Sequence, residues 1–233
     1  MDAGVVAALL TAIASLVGVL AVGFFQLRAA RSEREAEAEK VLGRYRRPLA
    51  AAAYDLQRRL FNIIDPDPGF LGAYMTRRNE REIDAVESTL YRIAQYLAWT
   101  EILRRDIQFL DFREPEETRA VAELQAKIAH KFATDELPRE FMLWQDEQRA
   151  IGELMIVRDH GFVDCLGYAS FFGQRKKSSW PWLERLEKEL RSGDARTSKR
   201  LFEIQHLLYE LVELLDQDKV LDRSRLRRAQ VPE

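Results

Sequence analysis

Glu203-Ile204-Gln205-His206 sets a carboxylate and an imidazole three residues apart. On a helix that spacing aims both groups at one centre, as in carboxylate-bridged di-iron bundles. A complete centre needs a second such pair and two further glutamates. The other histidines, His130 and His160, have no Glu three residues before them, so half the ligand set is missing. Zinc fares no better, because one cysteine and three scattered histidines give no ligand cluster. Cys165 lies near His160 and Asp164, the residue types of an activated thiol. Its segment, VDCLGYASFF, reads instead as an apolar helix holding a buried, unreactive thiol. No glycine-rich phosphate loop opens a helix, and no G-x-S-x-G elbow is present. The residues point to no catalytic group, no metal and no cofactor.

Polar residues inside otherwise apolar segments are the remaining candidates. Arg58, Glu101, Arg105 and Glu147 could converge on a polar groove between helices and hold a small ligand. The competing reading makes them solvated faces or ion pairs that set helix register, which says little about function.

These residues must be positioned by helices. The chain has 233 residues, 47% hydrophobic and 32% charged, enough for one folded domain and an anchor. Its net charge of −2 supplies no field that would favour nucleic acid. A lone cysteine cannot form an internal disulfide, which suits a reducing compartment.

From Ala3 to Leu27 there is no charged residue. Such a run, as a helix rising about 1.5 Å per residue, crosses a hydrocarbon core of roughly 30 Å. Gly4 to Phe25 mark the expected span. A cleaved leader would need a basic start and a shorter apolar run, and Met1-Asp2 has no basic side chain. Arg28, Arg31 and Arg34 follow the span, with Lys40, Arg44, Arg46 and Arg47 behind them, while only Asp2 precedes it. Basic residues stay on the cytoplasmic side, so the N-terminus is expected outside and the rest of the chain inside. Ala8 and Ala12, and Ala14 and Gly18, have the small-residue spacing that permits close pairing of spanning helices.

Residues 28–47, rich in Ala, Glu and Arg, read as a juxtamembrane helical stalk whose first arginines can meet anionic headgroups. Gly43 and Pro48 are expected to break it. A domain follows over 48–221, then a basic, unpatterned tail over 222–233. Helical periodicity predicts helices over about 48–64, 80–110, 116–133, 143–158, 163–172, 181–191 and 195–216. Asp65-Pro66-Asp67-Pro68-Gly69 ends the first, before a short turn over 70–75. The second is apolar over much of its circumference and so belongs at the centre of a bundle. Residues 174–179 read as a basic loop, and no alternating strand pattern is evident. The expected fold is all-α: one spanning helix and a stalk, then an irregular bundle.

The stretches YRRPLAAAAYDLQRRLFNI, STLYRIAQYLAWTEILRRDIQFLD and DEQRAIGELMI resemble a family of bacterial membrane-anchored helical proteins with no assigned function. The resemblance covers about Gly43 to Val157 and implies a bacterial inner-membrane setting, without catalytic residues or cofactor. The expected partners are the bilayer and another protein or a second copy, not nucleic acid. The basic loop Arg175-Lys176-Lys177 and the tail are candidates for contact with anionic lipid. The expected function is a membrane-tethered, non-enzymatic interaction module. The alternatives are a small-ligand sensor or enzyme, and an effector that oligomerises through its anchor.

Overall fold

Pro48 would ordinarily end a helix, because its ring displaces the carbonyl one turn back and offers no N–H. In the computed structural model the helix runs through it. The first helix, α1 (Ala3–Ile64), has Pro48 in its interior and extends roughly 93 Å. Tyr45 and Leu49 are both buried beside the proline, and their packing offsets the lost bond. The expected break at Gly43 and Pro48 is therefore absent. The core begins at Tyr45, inside the expected stalk.

The structure describes residues 3–64, 80–107, 116–159, 162–192 and 194–230. The turn at Asp65–Gly69, the turn over 70–75, Glu114-Pro115, His160-Gly161 and Gly193 lie outside the described residues. So do most side chains between residues 3 and 42. Among the described residues, no helix is long and apolar enough to cross a membrane. The side chain of Phe25 is outside that set, as are those of Arg31 and Arg34, while Gly4 and Arg28 are exposed.

The chain is mostly helical. After α1 come α2 (Glu80–Ile107), α3 (Glu116–Ala133) and α4 (Gln145–Met155). A hairpin of β1 (Ile156–Asp159) and β2 (Phe162–Cys165) precedes α5 (Tyr168–Lys177), α6 (Pro181–Ser192) and α7 (Lys199–Leu215). As the periodicity predicts, α2 is central: α1, α4 and α6 pack on it. Ile93, Ala94, Tyr96, Leu97, Ala98 and Trp99 are buried on all sides of it. The long α7 lies between α1 and α3, presenting Leu201, Ile204, Leu208, Leu211 and Leu215 to the core. Ser198 caps its N-terminus, accepting from the Leu201 amide at 3.3 Å.

The hairpin corrects the helices expected over 143–158 and 163–172. Its strands pair antiparallel, Ile156 opposite Cys165 and Val157 opposite Asp164. Four residues per strand are too few to show a period of two, yet Ile, Val and Phe favour extended backbone there. The loop expected over 174–179 is also corrected, since α5 continues through Gly173 to Lys177.

The tail is corrected too. Leu226 and Ala229 are buried against the bundle. Gln205 donates to the Arg227 carbonyl at 2.7 Å and accepts from the Ala229 amide at 3.2 Å. Gln57 on α1 donates to the same Arg227 carbonyl. Tyr54 Oη donates to the Asp222 carbonyl at 2.9 Å. A segment without side-chain periodicity is thus held through its backbone, in a groove beside α1 and α7.

Candidate functional site

The four groove candidates do not converge. Glu101 and Arg105 meet on α2, where Arg105 Nε lies 2.6 Å from Glu101 Oε1. Arg104 adds a two-point contact, both distances 2.7 Å. Arg105 also reaches Glu153 on α4 at 3.0 Å. Glu147, at the start of α4, accepts from the Trp144 amide and from Arg185 of α6, each at 2.8 Å. Arg58 sits over the Tyr54 ring, 5.3 Å from its centroid. These groups join neighbouring helices or stack on one helix.

Glu101 is only 3% exposed, and its charge is held by its partners. Burial works against the carboxylate, but the hydrogen bonds from Arg104 and Arg105 outweigh it and keep its pKa below the ordinary 4.5. A carboxyl depressed on folding contributes stability above its unfolded pKa. That contribution is lost as pH falls through the folded value. Glu101→Gln is expected to cost about 1–2 kcal/mol at pH 7. The difference from the parent should shrink as pH falls from the ordinary 4.5 through the depressed folded value, below which both chains are neutral at this position. Urea unfolding of both chains from pH 7 to pH 3 measures it, and a pH-independent difference would refute the assignment.

The chemical candidates resolve as structural groups. Glu203 pairs with Lys131 of α3 at 2.6 Å. His206 Nε2 lies 2.9 Å from the Ala229 carbonyl, and its ring is 4.3 Å from that of Phe202. Neither group is turned toward a shared metal, and among the described residues no group of ligands could hold one. Cys165 ends β2 rather than lying in a helix. Burial, helped by the Asp164 charge, pushes its thiol up to about 12. The thiol is therefore neutral and a poor nucleophile. Alkylation at pH 8 is expected to be slower in the folded chain than in urea, by on the order of a thousandfold. Comparable labelling rates would overturn this reading.

In the segment Arg175-Lys176-Lys177 the two lysines are exposed and the arginine is not. Arg175 is 8% exposed and bridges Glu87 of α2 at 2.7 Å and Glu187 of α6 at 2.9 Å. Lys176 sits over the Phe172 ring. The tail arginines also pair within the chain: Arg223 with Glu213, Arg225 with Asp222, and Arg228 with Glu210.

Two features escaped the sequence. The first is Arg200, fully buried, whose guanidinium donates to carbonyls only. Nη1 reaches those of Lys131 and Phe132, and Nη2 those of Thr134, Leu137 and Pro138. Nε reaches that of Glu140 at 3.1 Å. Burial lowers its pKa. The second is a cationic pair where α1 meets α2. Arg59 Nη2 donates to Ser88 Oγ at 2.9 Å. One turn along α2, Arg92 Nη1 donates to the Asp55 carbonyl at 3.2 Å and lies 3.5 Å from its carboxylate. Both Arg58 and Arg59 occur in the run YDLQRRLF, but only docking of α1 on α2 shows which faces the other helix. No protein family, characterised protein or solved structure matches this chain.

Proposed function

We propose that the protein is a membrane-tethered helical module that binds another protein or a second copy of itself. In this reading the segment from Gly4 to Phe25 anchors it in a bacterial inner membrane, with its N-terminus outside and its bundle in the cytoplasm. One observation carries the proposal. On α1, Leu20, Val22, Phe24 and Leu27 are 64%, 56%, 60% and 75% exposed, while beyond Tyr45 the same helix buries its apolar side chains. At 100° per residue Leu20, Phe24 and Leu27 fall within about 60° of one another, with Val22 on the opposite side. Apolar side chains this exposed are stabilised by transfer to hydrocarbon. Exposed Arg28 stands just after them, as a cytoplasmic flank would. Because one helix continues from this segment into the core, the anchor holds the bundle through a rod rather than a flexible linker. Tethering would concentrate the bundle near membrane partners.

The expected result is a chain that stays in the membrane pellet after alkaline carbonate extraction. Its C-terminal end should resist external protease in spheroplasts, and deletion of residues 1–27 should release it. Cross-linking in native membranes should give a species of higher mass. A full-length chain that fractionates as a soluble monomer refutes the anchor, and the absence of any cross-linked species refutes the interaction role.

A further inference from the structure

We propose that Arg59, Arg92 and Ser88 form a binding site for a soluble small molecule carrying a phosphate-type oxyanion. The four polar residues at this contact form a square. Asp55 and Arg59 are one turn apart on α1, and Ser88 and Arg92 are one turn apart on α2. Each helix contributes one guanidinium, but the square holds only one carboxylate. Asp55 belongs to Arg92, at 3.5 Å. Among the described residues no carboxylate forms an ion pair with Arg59, whose hydrogen bond goes to the neutral hydroxyl of Ser88.

Among the described residues the square therefore holds two guanidiniums and one carboxylate, at a half-buried place. Burial and the neighbouring Arg92 push the Arg59 guanidinium down to about 10, outweighing the Asp55 charge that works the other way. Two like charges held together in a partly desolvated seam are costly unless an anion joins them. Arg92 and Asp55 remain 27% and 44% exposed, so the edge of the square is open to a ligand. The rings of Tyr91 and Tyr168, 5.4 Å apart, border it closely enough for Tyr91 to feel Asp55 and Arg92 and for Arg59 to feel Tyr168. An aromatic border lowers the local dielectric and strengthens a charged contact.

The donors suit a tetrahedral oxyanion. Planar guanidinium forks match phosphate oxygens two at a time, and one fork from each helix with the Ser88 hydroxyl beside Arg59 supplies both charged and neutral donors. A lipid headgroup is a poor source. Arg59 lies 32 residues beyond Leu27 along one helix, roughly 48 Å from the end of the anchor. The square itself forms wholly within the bundle, and only the choice of a soluble ligand over a headgroup rests on the proposed anchor.

The test is thermal unfolding of the full-length chain in nonionic detergent, with inorganic phosphate as probe and chloride at equal ionic strength as reference. The expected result is a saturable rise in Tm specific to phosphate, about 5–10 °C at a hundredfold excess over Kd. Arg59→Gln should abolish the rise, and Ser88→Ala should weaken binding about tenfold, the value of one hydrogen bond to a charged group. An equal rise in chloride, or an undiminished rise in Arg59→Gln, overturns the site. If Arg59→Gln does not melt cooperatively, the Kd of Ser88→Ala decides, and an unchanged value overturns it. A parallel arm measures Arg59-dependent co-sedimentation with phosphatidylcholine vesicles containing phosphatidic acid. Dependence on Arg59 there, without any response to inorganic phosphate, would make the ligand a headgroup and overturn the soluble assignment.

Discussion

Arg200→Met is expected to lower the unfolding free energy by about 3–5 kcal/mol, the range seen when a buried charged network loses its central member. Arg200 is 0% exposed and lies at the start of α7. Its guanidinium closes the C-terminal end of α3, whose last carbonyls have no partner within the helix. It continues along the connection to Glu140, collecting carbonyls from Thr134, Leu137 and Pro138. The positive charge also faces the negative end of the α3 dipole. That connection is strained, and it buries Thr134, Leu137 and Phe141 while its other residues are exposed. Phe141 has a φ of 58°, unfavourable for a bulky side chain, and its amide donates to Glu189 at 2.7 Å.

Methionine fills much of the same space but removes the guanidinium donors, leaving the Phe132 carbonyl only the Leu143 amide. Each unsatisfied buried group costs about 1–3 kcal/mol, less whatever water can enter to restore. Arg200→Lys should recover only part of the loss, because an ammonium has three donors and cannot span carbonyls on both sides of a planar fork. Urea titration followed by circular dichroism measures all three chains. A loss under about 1 kcal/mol for the methionine variant would show that water replaces the guanidinium freely.

Gly152→Ala is expected to cost about 1–3 kcal/mol, the range for overpacking a close helix contact. Alanine is the better helix former, so the intrinsic propensity runs the other way by about 1 kcal/mol. Contact geometry decides the sign. A methyl group at Gly152 would stand 2.7 Å from the Leu97 carbonyl oxygen and 3.0 Å from the Glu101 Cβ. Both belong to the central helix, and the first is backbone that no rotamer change can move. Relief requires α4 to back away from α2, which loosens the packing of Ile151 and Met155 and stretches the contact from Arg105 to Glu153. Gly173→Ala supplies the contrast. It lies inside α5 with nothing within 4 Å of the added methyl, and is expected to gain about 0.5–1 kcal/mol. If both variants shift the midpoint the same way, close approach of α2 and α4 does not govern this contact.

The helices were legible wherever an apolar stripe ran for several turns. Val86, Leu90, Ile93 and Leu97 announce α2, and Leu201, Ile204, Leu208 and Leu211 announce α7, because burial of one face repeats every 3.6 residues. The hairpin was not legible, since its short strands follow a helix whose pattern runs into them. Nor was the tail, because its grip on Gln57 and Gln205 is made through main-chain groups that look alike in every sequence.

The sites divide the same way. Arg58, Glu101, Arg105 and Glu147 are polar residues on apolar helices, a property that can be counted along the chain. Whether they meet depends on how each helix is turned about its axis, which no local pattern encodes. Tertiary packing turned Glu147 to Arg185, whereas Glu101 and Arg105 meet through their four-residue spacing on one helix. The same packing chose Arg59 over its neighbour Arg58 to face Ser88 and gathered carbonyls around Arg200. Hydrophobic periodicity is a one-dimensional signal and by itself determined the helices and the central place of α2. Charge pairing across helices depends on three-dimensional orientation, so only the tertiary structure decided which polar groups are compensated and which remain in excess.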